Sequence, residues 1–296
     1  MTALRATDAR TIGQLIAWAQ RSLDSSGTAN TAQEARWLLA HALGVKQHEL
    51  VSGADHPVTA EQHTRAAAFV SRRTAREPLQ YILGTQEFCG LDFCVNPAVL
   101  IPRPETELLV QAVLKEGGLT EASTLVDVGT GSGCIAVTLA TILSGMRIFA
   151  LDCSKDALTV AKENAERQGV RDKITWGEGD LLSSLRTHHL EKMVDVVVSN
   201  PPYIAEDAWA HLQPEVRDFE PRLALVAGQK GTEFHERLLH DARELLVSGG
   251  LLVMELGQGQ AALVREAAEQ IGGYTGLQTV KDEAGIERVM IVRRAG

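Results

Sequence analysis

Residues 124–133 of the chain read TLVDVGTGSG, a short apolar run that leads into a glycine-rich turn. The next residues, 134–140, have helical character, so the segment predicts the strand, glycine turn and helix that begin a nucleotide-type binding site. The spacing is G-x-G-x-G rather than the G-x-G-x-x-G of dinucleotide enzymes. We therefore expect a ligand whose anionic group is a single carboxylate, held near the free N–H groups of the helix start.

Two acidic residues follow predicted strands downstream of this turn. Asp152 comes after the run RIFAL, residues 147–151, about 20 residues beyond the glycines, where an acidic side chain can bind ribose hydroxyls. Asp180 and its neighbour Leu181 follow a third predicted strand at 173–176. The Asp180 carboxylate can accept a hydrogen bond from an exocyclic adenine amine. Each acid also precedes a helix-compatible stretch, so capping of that helix is an alternative for both.

A third constellation begins at the run VDVVV, residues 194–198, which predicts a buried parallel strand. The sequence NPPY, residues 200–203, follows at the carboxyl end of that strand, where an open α/β sheet places its ligands. Two consecutive prolines have a stiff backbone without N–H donors, so their carbonyls are fixed acceptors. With the Asn200 amide and the Tyr203 ring they would form a rigid pocket that suits a planar NH₂ group. An ordinary strand-to-loop turn explains the same residues.

Taken in chain order, these features describe a nucleoside that carries a carboxylate, bound beside a substrate amine. The glycine turn would receive the carboxylate, the first acid the ribose and the second acid the adenine. S-adenosyl-L-methionine fits this description and is the cofactor that we expect.

Four stretches of the chain resemble the HemK/PrmC family of protein-(glutamine-N5) methyltransferases. They are FCGLDF at 88–93, LIPRPETE at 100–107, DVGTGSG at 127–133 and NPPY at 200–203. The pocket motif alone is shared with enzymes that methylate adenine or cytosine amines in nucleic acid. The specific signal is the LIPRPETE segment ahead of the glycine turn. A sister family that modifies a glutamine in a large-subunit ribosomal protein diverges after the Pro-Arg pair.

The resemblance implies methyl transfer to the glutamine side chain of the Gly-Gly-Gln motif of peptide chain release factors, in support of translation termination. It implies that the residues of catalysis and substrate binding are Asn200, Pro201, Pro202 and Tyr203. It implies that the cofactor is bound by Gly129, Thr130, Gly131, Ser132, Gly133, Asp152, Asp180, Leu181 and Asn200. Arg103 and Glu105 are expected near the methionine end of the cofactor, and an ion pair that stabilises the linker is an equal alternative. No metal site is predicted.

The predicted fold class is α/β, with three regions. Residues 1–84 show apolar positions at helical spacing and predict a small helical bundle. The family implies that this bundle recognises the substrate, and a purely structural cap is the alternative. Residues 85–103 predict a β-hairpin linker centred on Cys89-Gly90. Residues 104–296 predict a Rossmann-like class I methyltransferase domain, a seven-stranded mixed sheet with helices on both faces.

The last third of the chain completes this sheet. We expect helices at 235–246 and 260–271, a buried strand at 251–256 and a final antiparallel strand at 288–292. Residues 204–231 form a long connection that begins at the NPPY pocket. A connection of that length predicts a flap that faces the substrate rather than a plain linker.

The composition of the 296-residue chain is typical of a soluble globular protein, with 45% hydrophobic residues and a mean hydropathy of −0.04. No apolar run approaches membrane-spanning length and no basic-then-apolar signal pattern begins the chain, so we expect a cytoplasmic protein without membrane contact. The four cysteines are expected to be reduced.

The charge distribution bears on the substrate. The net charge of the chain is −9, of which residues 1–86 contribute +2 and the remainder −11. An acidic catalytic domain is a poor partner for a phosphate backbone, so direct binding of nucleic acid is not expected. The alternative function is an N6-adenine or other nucleic-acid amine methyltransferase that uses the same Asn-Pro-Pro-Tyr pocket. The densest basic cluster, residues 72–76, is interpreted as a solvated helix face rather than a partner contact.

Overall fold

The computed structural model describes residues 9–188 and 190–296, and of residues 186–188 it describes the backbone only. The first eight residues of the predicted bundle lie outside this range. The described chain forms two compact units. Unit 1 contains the residues up to Gly84 together with the short segment Gln213–Phe219, and unit 2 contains Thr85–Leu212 and Glu220–Gly296.

Unit 1 is helical, and its helices bury one apolar face each. They are α1 Ile12–Asp24, α2 Thr31–Leu43, α3 Gln47–Ser52, α4 Ala60–Thr74, α5 Leu79–Leu83 and, from the distant segment, α9 Pro214–Phe219. Thr11 and Thr59 cap α1 and α4, as their positions before amphipathic runs predict. Leu15, Leu38 and Val70 from three helices share the core.

The basic cluster at 72–76 is an internal part of unit 1. Arg73 is 5% exposed and contacts the carboxylates of Glu34 and Glu215, at 2.6 and 3.0 Å. Arg76 contacts the other oxygen of Glu215 at 2.6 Å. These ion pairs attach the segment Gln213–Phe219 to the helices of unit 1. The prediction of a solvated face is therefore wrong for Arg73, since a buried guanidinium needs carboxylate partners.

Unit 2 begins with the predicted hairpin. Its strands are β1 Thr85–Phe88 and β2 Leu91–Cys94, and both turn residues, Cys89 and Gly90, have positive φ angles of 50° and 77°. This two-residue turn is the type that matches the twist of the flanking strands. In the hairpin register Cys94 lies opposite Thr85, and all four cysteines of the chain are free thiols.

The main sheet of unit 2 has seven strands in the order β10-β11-β9-β6-β3-β4-β5. They are β3 Thr124–Val128, β4 Arg147–Asp152, β5 Ile174–Glu178, β6 Val194–Ser199, β9 Leu246–Glu255, β10 Tyr274–Lys281 and β11 Glu287–Arg294. Strands β5, β4, β3, β6 and β9 run parallel, and β11 and β10 are antiparallel to their neighbours. The prediction of a mixed seven-stranded sheet is confirmed.

Helices cover both faces of this sheet. They are α6 Glu107–Glu116, α7 Cys134–Ile142, α8 Lys155–Arg167, α10 Glu233–Leu245 and α11 Ala261–Ile271. Successive strand residues alternate between two buried clusters. Leu125 packs with the α6 and α7 side, and Val126 packs with the α10 and α11 side. Both faces of the strands are thus buried, which is why the strands read as continuous apolar runs.

Two details at the end of the chain differ from the predicted elements. Helix α10 spans Glu233–Leu245 rather than the predicted 235–246, because Leu246 pairs with Val194 and starts β9. Strand β10 was not predicted, and it places β11 second from the edge. The connection 204–231 contains a short parallel pair, β7 Ile204–Ala205 and β8 Val226–Gly228, in unit 2.

Candidate active site

The carboxyl ends of three adjacent strands form one side of a cleft in unit 2. Val128 of β3 is aligned with Leu151 of β4 and with Ser199 of β6, so the segments that follow these strands lie side by side. The cleft has a volume of about 1030 Å³, counting space open to solvent. Of the predicted site residues, it is lined by Gly129, Thr130, Gly131, Ser132, Asp152, Asp180, Leu181, Asn200 and Pro202. Gly133, Pro201 and Tyr203 are not part of the lining.

The glycine turn leaves bare backbone at the cleft. Gly129 and Gly131 have φ angles of 71° and 55°, a region that favours glycine, and a Cβ on either would have no neighbour closer than 3.9 Å. The N–H groups of Gly129 and Thr130 donate to the Leu151 carbonyl, which fixes the turn to the end of β4. Gly133 has another role, since a Cβ there would come within 3.1 Å of Ala161 and separate α7 from α8.

Asp127, the acid inside the glycine motif, is fully buried beneath the turn. Its Oδ2 accepts hydrogen bonds from Thr130 Oγ1 at 2.6 Å and from the Ala136 N–H at 3.2 Å. Burial raises the pKa of Asp127 to about 7, and nearby Asp152 adds to the shift. Asp127 thus ties the turn to the first turn of α7, a role that the sequence analysis did not assign.

Asp152 lies at the end of β4 and joins two segments of the cleft wall. Its two oxygens accept from the N–H groups of Gly131 and Ser154, each at 2.9 Å. Ser154 is the residue that caps α8, with its side chain accepting from the Ala157 N–H. The capping alternative for Asp152 is therefore wrong. Burial raises the pKa of Asp152, although hydrogen bonds from the backbone N–H groups of Ser154, Gly131 and Cys153 oppose this shift.

Asp180 and Leu181 line the cleft beyond Asp152. The Asp180 carboxylate is 63% exposed and pairs with Arg237 at 2.6 Å, and no backbone N–H of the described residues is seen to donate to it. Leu181 has a φ of 49°, an uncommon value for a residue with a side chain. Strained backbone of this kind persists where the surroundings enforce it, often at ligand sites.

The NPPY segment is attached to a buried carboxylate that lies far from it in sequence. Asn200 Nδ2 donates to Thr106 Oγ1 at 3.1 Å, and Thr106 Oγ1 donates to Glu255 Oε2 at 2.6 Å. The Tyr203 hydroxyl donates to Glu255 Oε1 at 3.3 Å. Thr106 and Glu255 are each 2% exposed. Burial raises the pKa of Glu255 to about 7, and the hydrogen bonds from Thr106 and Tyr203 oppose this shift.

Asn200 Oδ1 and the Pro201 carbonyl, which belong to the predicted acceptor pocket, receive no hydrogen bond from the described residues. The Tyr203 carbonyl, in contrast, accepts from Gln260 Nε2 at 2.8 Å. Gln260 thus holds the backbone just after the pocket.

The structure gives Arg103 a different partner from the one that its position suggested. Arg103 lines the cleft and pairs with Glu220 at 2.5 Å, rather than with Glu105. The other oxygen of Glu220 accepts from the Ile101 N–H at 3.2 Å. This carboxylate therefore connects the LIPRPETE segment to the middle of the long connection 204–231.

The chain is similar to known protein families over both of its units. Residues 14–84 match the PrmC N-terminal domain, and residues 104–213 match the methyltransferase small domain. A release factor glutamine methyltransferase of Geobacter sulfurreducens is 42% identical over 95% of both chains. One of Moorella thermoacetica is 40% identical over 96% of this chain and 99% of its own.

The chain belongs to the release factor glutamine methyltransferase family. The resemblance read from the sequence is confirmed, and unit 2 carries the family's methyltransferase domain.

Solved structures support the fold. A methyltransferase of Pyrococcus furiosus superposes with a TM-score of 0.51 at 18% identity, covering 79% of this chain and all of its own. The hMettl16 catalytic domain, solved in complex with a 3′UTR hairpin, gives a TM-score of 0.55 at 20% identity, covering 79% and 81% of the two chains. At this identity the likeness concerns the fold alone, and the predicted Rossmann-like class I methyltransferase fold is confirmed.

Several residues in or next to the cleft were not predicted from the sequence. The apolar part of the lining includes Phe234, Leu223 and Pro102. Two carboxylates outside the lining contact residues that belong to it, Glu220 with Arg103 and Glu255 with Thr106. Glu255 carried a readable signal, since it is an acid at the end of the apolar run LLVME, as Asp152 is at the end of RIFAL. Glu220 carried none, because nothing in its neighbourhood marks a strand end.

Within residues 9–188 and 190–296, no three His, Cys, Asp or Glu side chains converge so as to hold a metal ion. None of the described helices combines the length and the apolar character needed to cross a membrane.

Proposed function

We propose that this enzyme uses S-adenosyl-L-methionine to methylate the side-chain nitrogen (N5) of the glutamine in the Gly-Gly-Gln motif of peptide chain release factors, in the cytoplasm. The observation that carries the proposal is a single cleft. It is lined both by the bare glycine turn with Asp152 and by Asn200, whose side-chain oxygen has no donor from the described chain. A donor site and an acceptor pocket in one cleft are what transfer to an amine requires.

The residues of the cleft fit this cofactor better than a nucleotide polyphosphate. Gly129 and Gly131 leave backbone that a ligand can approach closely, and Asp152 offers carboxylate oxygens to ribose hydroxyls. Two carboxylates, Asp152 and Asp180, line the cleft, and its Arg103 is already paired with Glu220. Such a lining suits a ligand that carries hydroxyls and positive charge, and it disfavours several phosphates.

The weakness of the nucleophile defines the task of the protein. A carboxamide nitrogen shares its lone pair with the carbonyl, so it attacks carbon poorly in water. Asn200 Oδ1 and the Pro201 carbonyl would accept its two N–H bonds, orient its lone pair and stabilise the positive charge that develops on it. Positioning of this kind can lower a barrier by about 7–11 kcal/mol in favourable cases.

When bound, the cofactor would be held by the glycine turn and Asp152, and it would supply a sulfonium methyl group to the amide nitrogen, which would release one proton as it accepts the methyl group. The protonated product amide is strongly acidic, so the site needs no dedicated base. Phe234, Leu223 and Pro102 give the cleft an apolar part of its lining.

The charge of the chain favours a protein substrate over nucleic acid. Residues 87–296 carry a net charge of −11, which opposes a phosphate backbone. The alternative function, methylation of adenine or other nucleic-acid amines, uses the same pocket and needs a basic surface. The basic cluster of the sequence does not supply one, because Arg73 and Arg76 are paired with carboxylates within unit 1.

A labelled-methyl transfer assay tests the proposal. The substrates are a peptide chain release factor, the same factor with its Gly-Gly-Gln motif changed to Gly-Gly-Ala, double-stranded DNA and RNA. We expect label on the unmodified factor only. Equal labelling of both factors would refute glutamine specificity, and labelling of DNA or RNA would establish the alternative function.

A further inference from the structure

We propose that Glu255, acting through Thr106, is a positioning residue that sets which end of the Asn200 amide faces the cleft. The proposal rests on the function proposed above, and it concerns a carboxylate that does not line the cleft. The three residues form an unbroken chain of hydrogen bonds, Glu255 to Thr106 to Asn200, of 2.6 and 3.1 Å.

The direction of this chain follows from the chemistry of its members. An ionised carboxylate only accepts hydrogen bonds, so the Thr106 hydroxyl must donate its one hydrogen bond to Glu255. The hydroxyl oxygen can then only accept from Asn200, which must present Nδ2 to it. The amide oxygen of Asn200 is thereby left for the cleft. An amide turned the other way would present a donor to the substrate NH₂ group, and two donors repel.

Tyr203 forms a second contact between the same carboxylate and the pocket. Its hydroxyl donates to the other oxygen of Glu255 at 3.3 Å, from a segment 52 positions away. Glu255 therefore contacts the first residue of NPPY through Thr106 and the last one directly. Since LIPRPETE supplies Thr106, this arrangement also explains why that segment and NPPY occur together in one chain.

Protonation of Glu255 would release the amide. A protonated carboxyl carries a donor, and Thr106 can then accept from it and donate to Asn200, which reverses the chain. The charged and titratable groups around Glu255 are Glu105 from the turn before α6, Arg288 from β11, Tyr203 after β6, His235 from α10 and Cys134 from α7. The pKa of His235 is lowered by burial and those of Tyr203 and Cys134 are raised by it, so these three do not change charge near neutral pH.

The first test is the pH dependence of kcat at saturating cofactor and release factor. Because burial raises the pKa of Glu255 to about 7, we expect the wild-type kcat to fall as the pH decreases from 8 to 6. In Glu255→Gln this decrease is absent, since the group that titrates is gone. Glu269→Gln, at an exposed position of α11, is the matched control and keeps the wild-type profile.

The second test removes the relay. In Thr106→Val we expect kcat to fall by about tenfold or more, because Asn200 loses the partner that orients it, with KM and the cofactor Kd within about twofold of wild type. Thr106→Ser restores the hydroxyl and most of kcat. Thr141→Val, on the exposed side of α7, controls for the substitution itself.

The outcomes separate this proposal from the proposed function. If the wild type does not label the release factor at any pH, the function is refuted. If the wild type labels it and Glu255→Gln keeps the same decrease of kcat at low pH, the positioning role is refuted. A kcat of Thr106→Val equal to that of the wild type refutes it as well, and if this variant does not fold, the pH profile decides.

Discussion

The two sides of the cleft are built in different ways. On the proposed cofactor side, the contacts join residues that are close in sequence: Thr130 with Asp127, 3 positions apart, and Gly131 with Asp152, 21 positions apart. On the acceptor side, Asn200 contacts Thr106 over 94 positions and Thr106 contacts Glu255 over 149. The cofactor side is thus one local unit of strand, turn and helix, and the acceptor side is assembled from distant segments.

This difference predicts how each side responds to mutation. A local unit holds its ligand through backbone groups that most substitutions leave in place. An assembled pocket depends on single side chains, each of which orients another. Substitutions on the acceptor side should therefore reduce kcat, and those on the cofactor side should reduce cofactor affinity.

The largest effect is expected at Asn200. In Asn200→Ala the acceptor for the substrate NH₂ group is lost, and we expect kcat to fall on the order of 10²–10³-fold, as for removal of one transition-state hydrogen bond. The cofactor Kd, measured by calorimetry, stays within about threefold. If cofactor binding were lost in proportion to kcat, Asn200 would belong to the cofactor side and the contrast between the two sides would fail.

The same contrast explains what the sequence could reveal. The glycine turn, Asp152 and the parallel strands were predictable because each is a short pattern with its own period or spacing. Asn200–Tyr203 were found as a motif, but their attachment to Glu255 was not, since no local pattern marks a contact over 149 positions. Edge strand β10 was missed because its exposed, polar-rich residues lack the apolar alternation that marks a half-buried strand.

A second prediction concerns the buried carboxyl that each side contains. Burial raises the pKa of Asp127 to about 7 and that of Glu255 to about 7, from ordinary values near 4. Between pH 4 and pH 7 the folded chain binds more protons than the unfolded chain. The stabilisation of the fold by the two protonated carboxyls is therefore complete below pH 4 and is lost as the pH rises through 7. Each carboxyl should contribute on the order of 3 kcal/mol to this loss.

Urea denaturation at pH 5 and pH 8 measures this contribution. Asp127→Asn and Glu255→Gln should each reduce the dependence of the free energy of unfolding on pH by a similar amount. This result would mean that the two buried carboxyls affect the free energy of unfolding equally, although the two sides of the cleft are built differently. If neither variant altered the pH dependence, both carboxyls would be ionised without penalty, and the expected effect of pH on kcat would lose its basis.

The third prediction tests the cofactor side directly. Asp152→Ala removes the acceptor for ribose and also frees the N–H groups of Gly131 and Ser154. Hydrogen bonds to charged groups are worth about 1.5–3 kcal/mol, so the cofactor Kd should rise by about 10- to 100-fold. The kcat at saturating cofactor should change little. Asp172→Ala, at an exposed position, is the control, and a kcat loss in Asp152→Ala without a change in Kd would contradict the assignment.

The smallest effect is expected at Asp180, which lies on the same side as Asp152 and differs from it in exposure. Its carboxylate is 63% exposed and already paired with Arg237, itself 46% exposed. Water competes for both groups, so a hydrogen bond from the adenine amine to Asp180 replaces others of similar strength. We expect Asp180→Asn to raise the cofactor Kd by about threefold, and Arg237→Met to leave it unchanged. An increase beyond tenfold in Asp180→Asn would mean that the bound cofactor buries this carboxylate, and cofactor affinity would then depend on Asp180 as strongly as on Asp152.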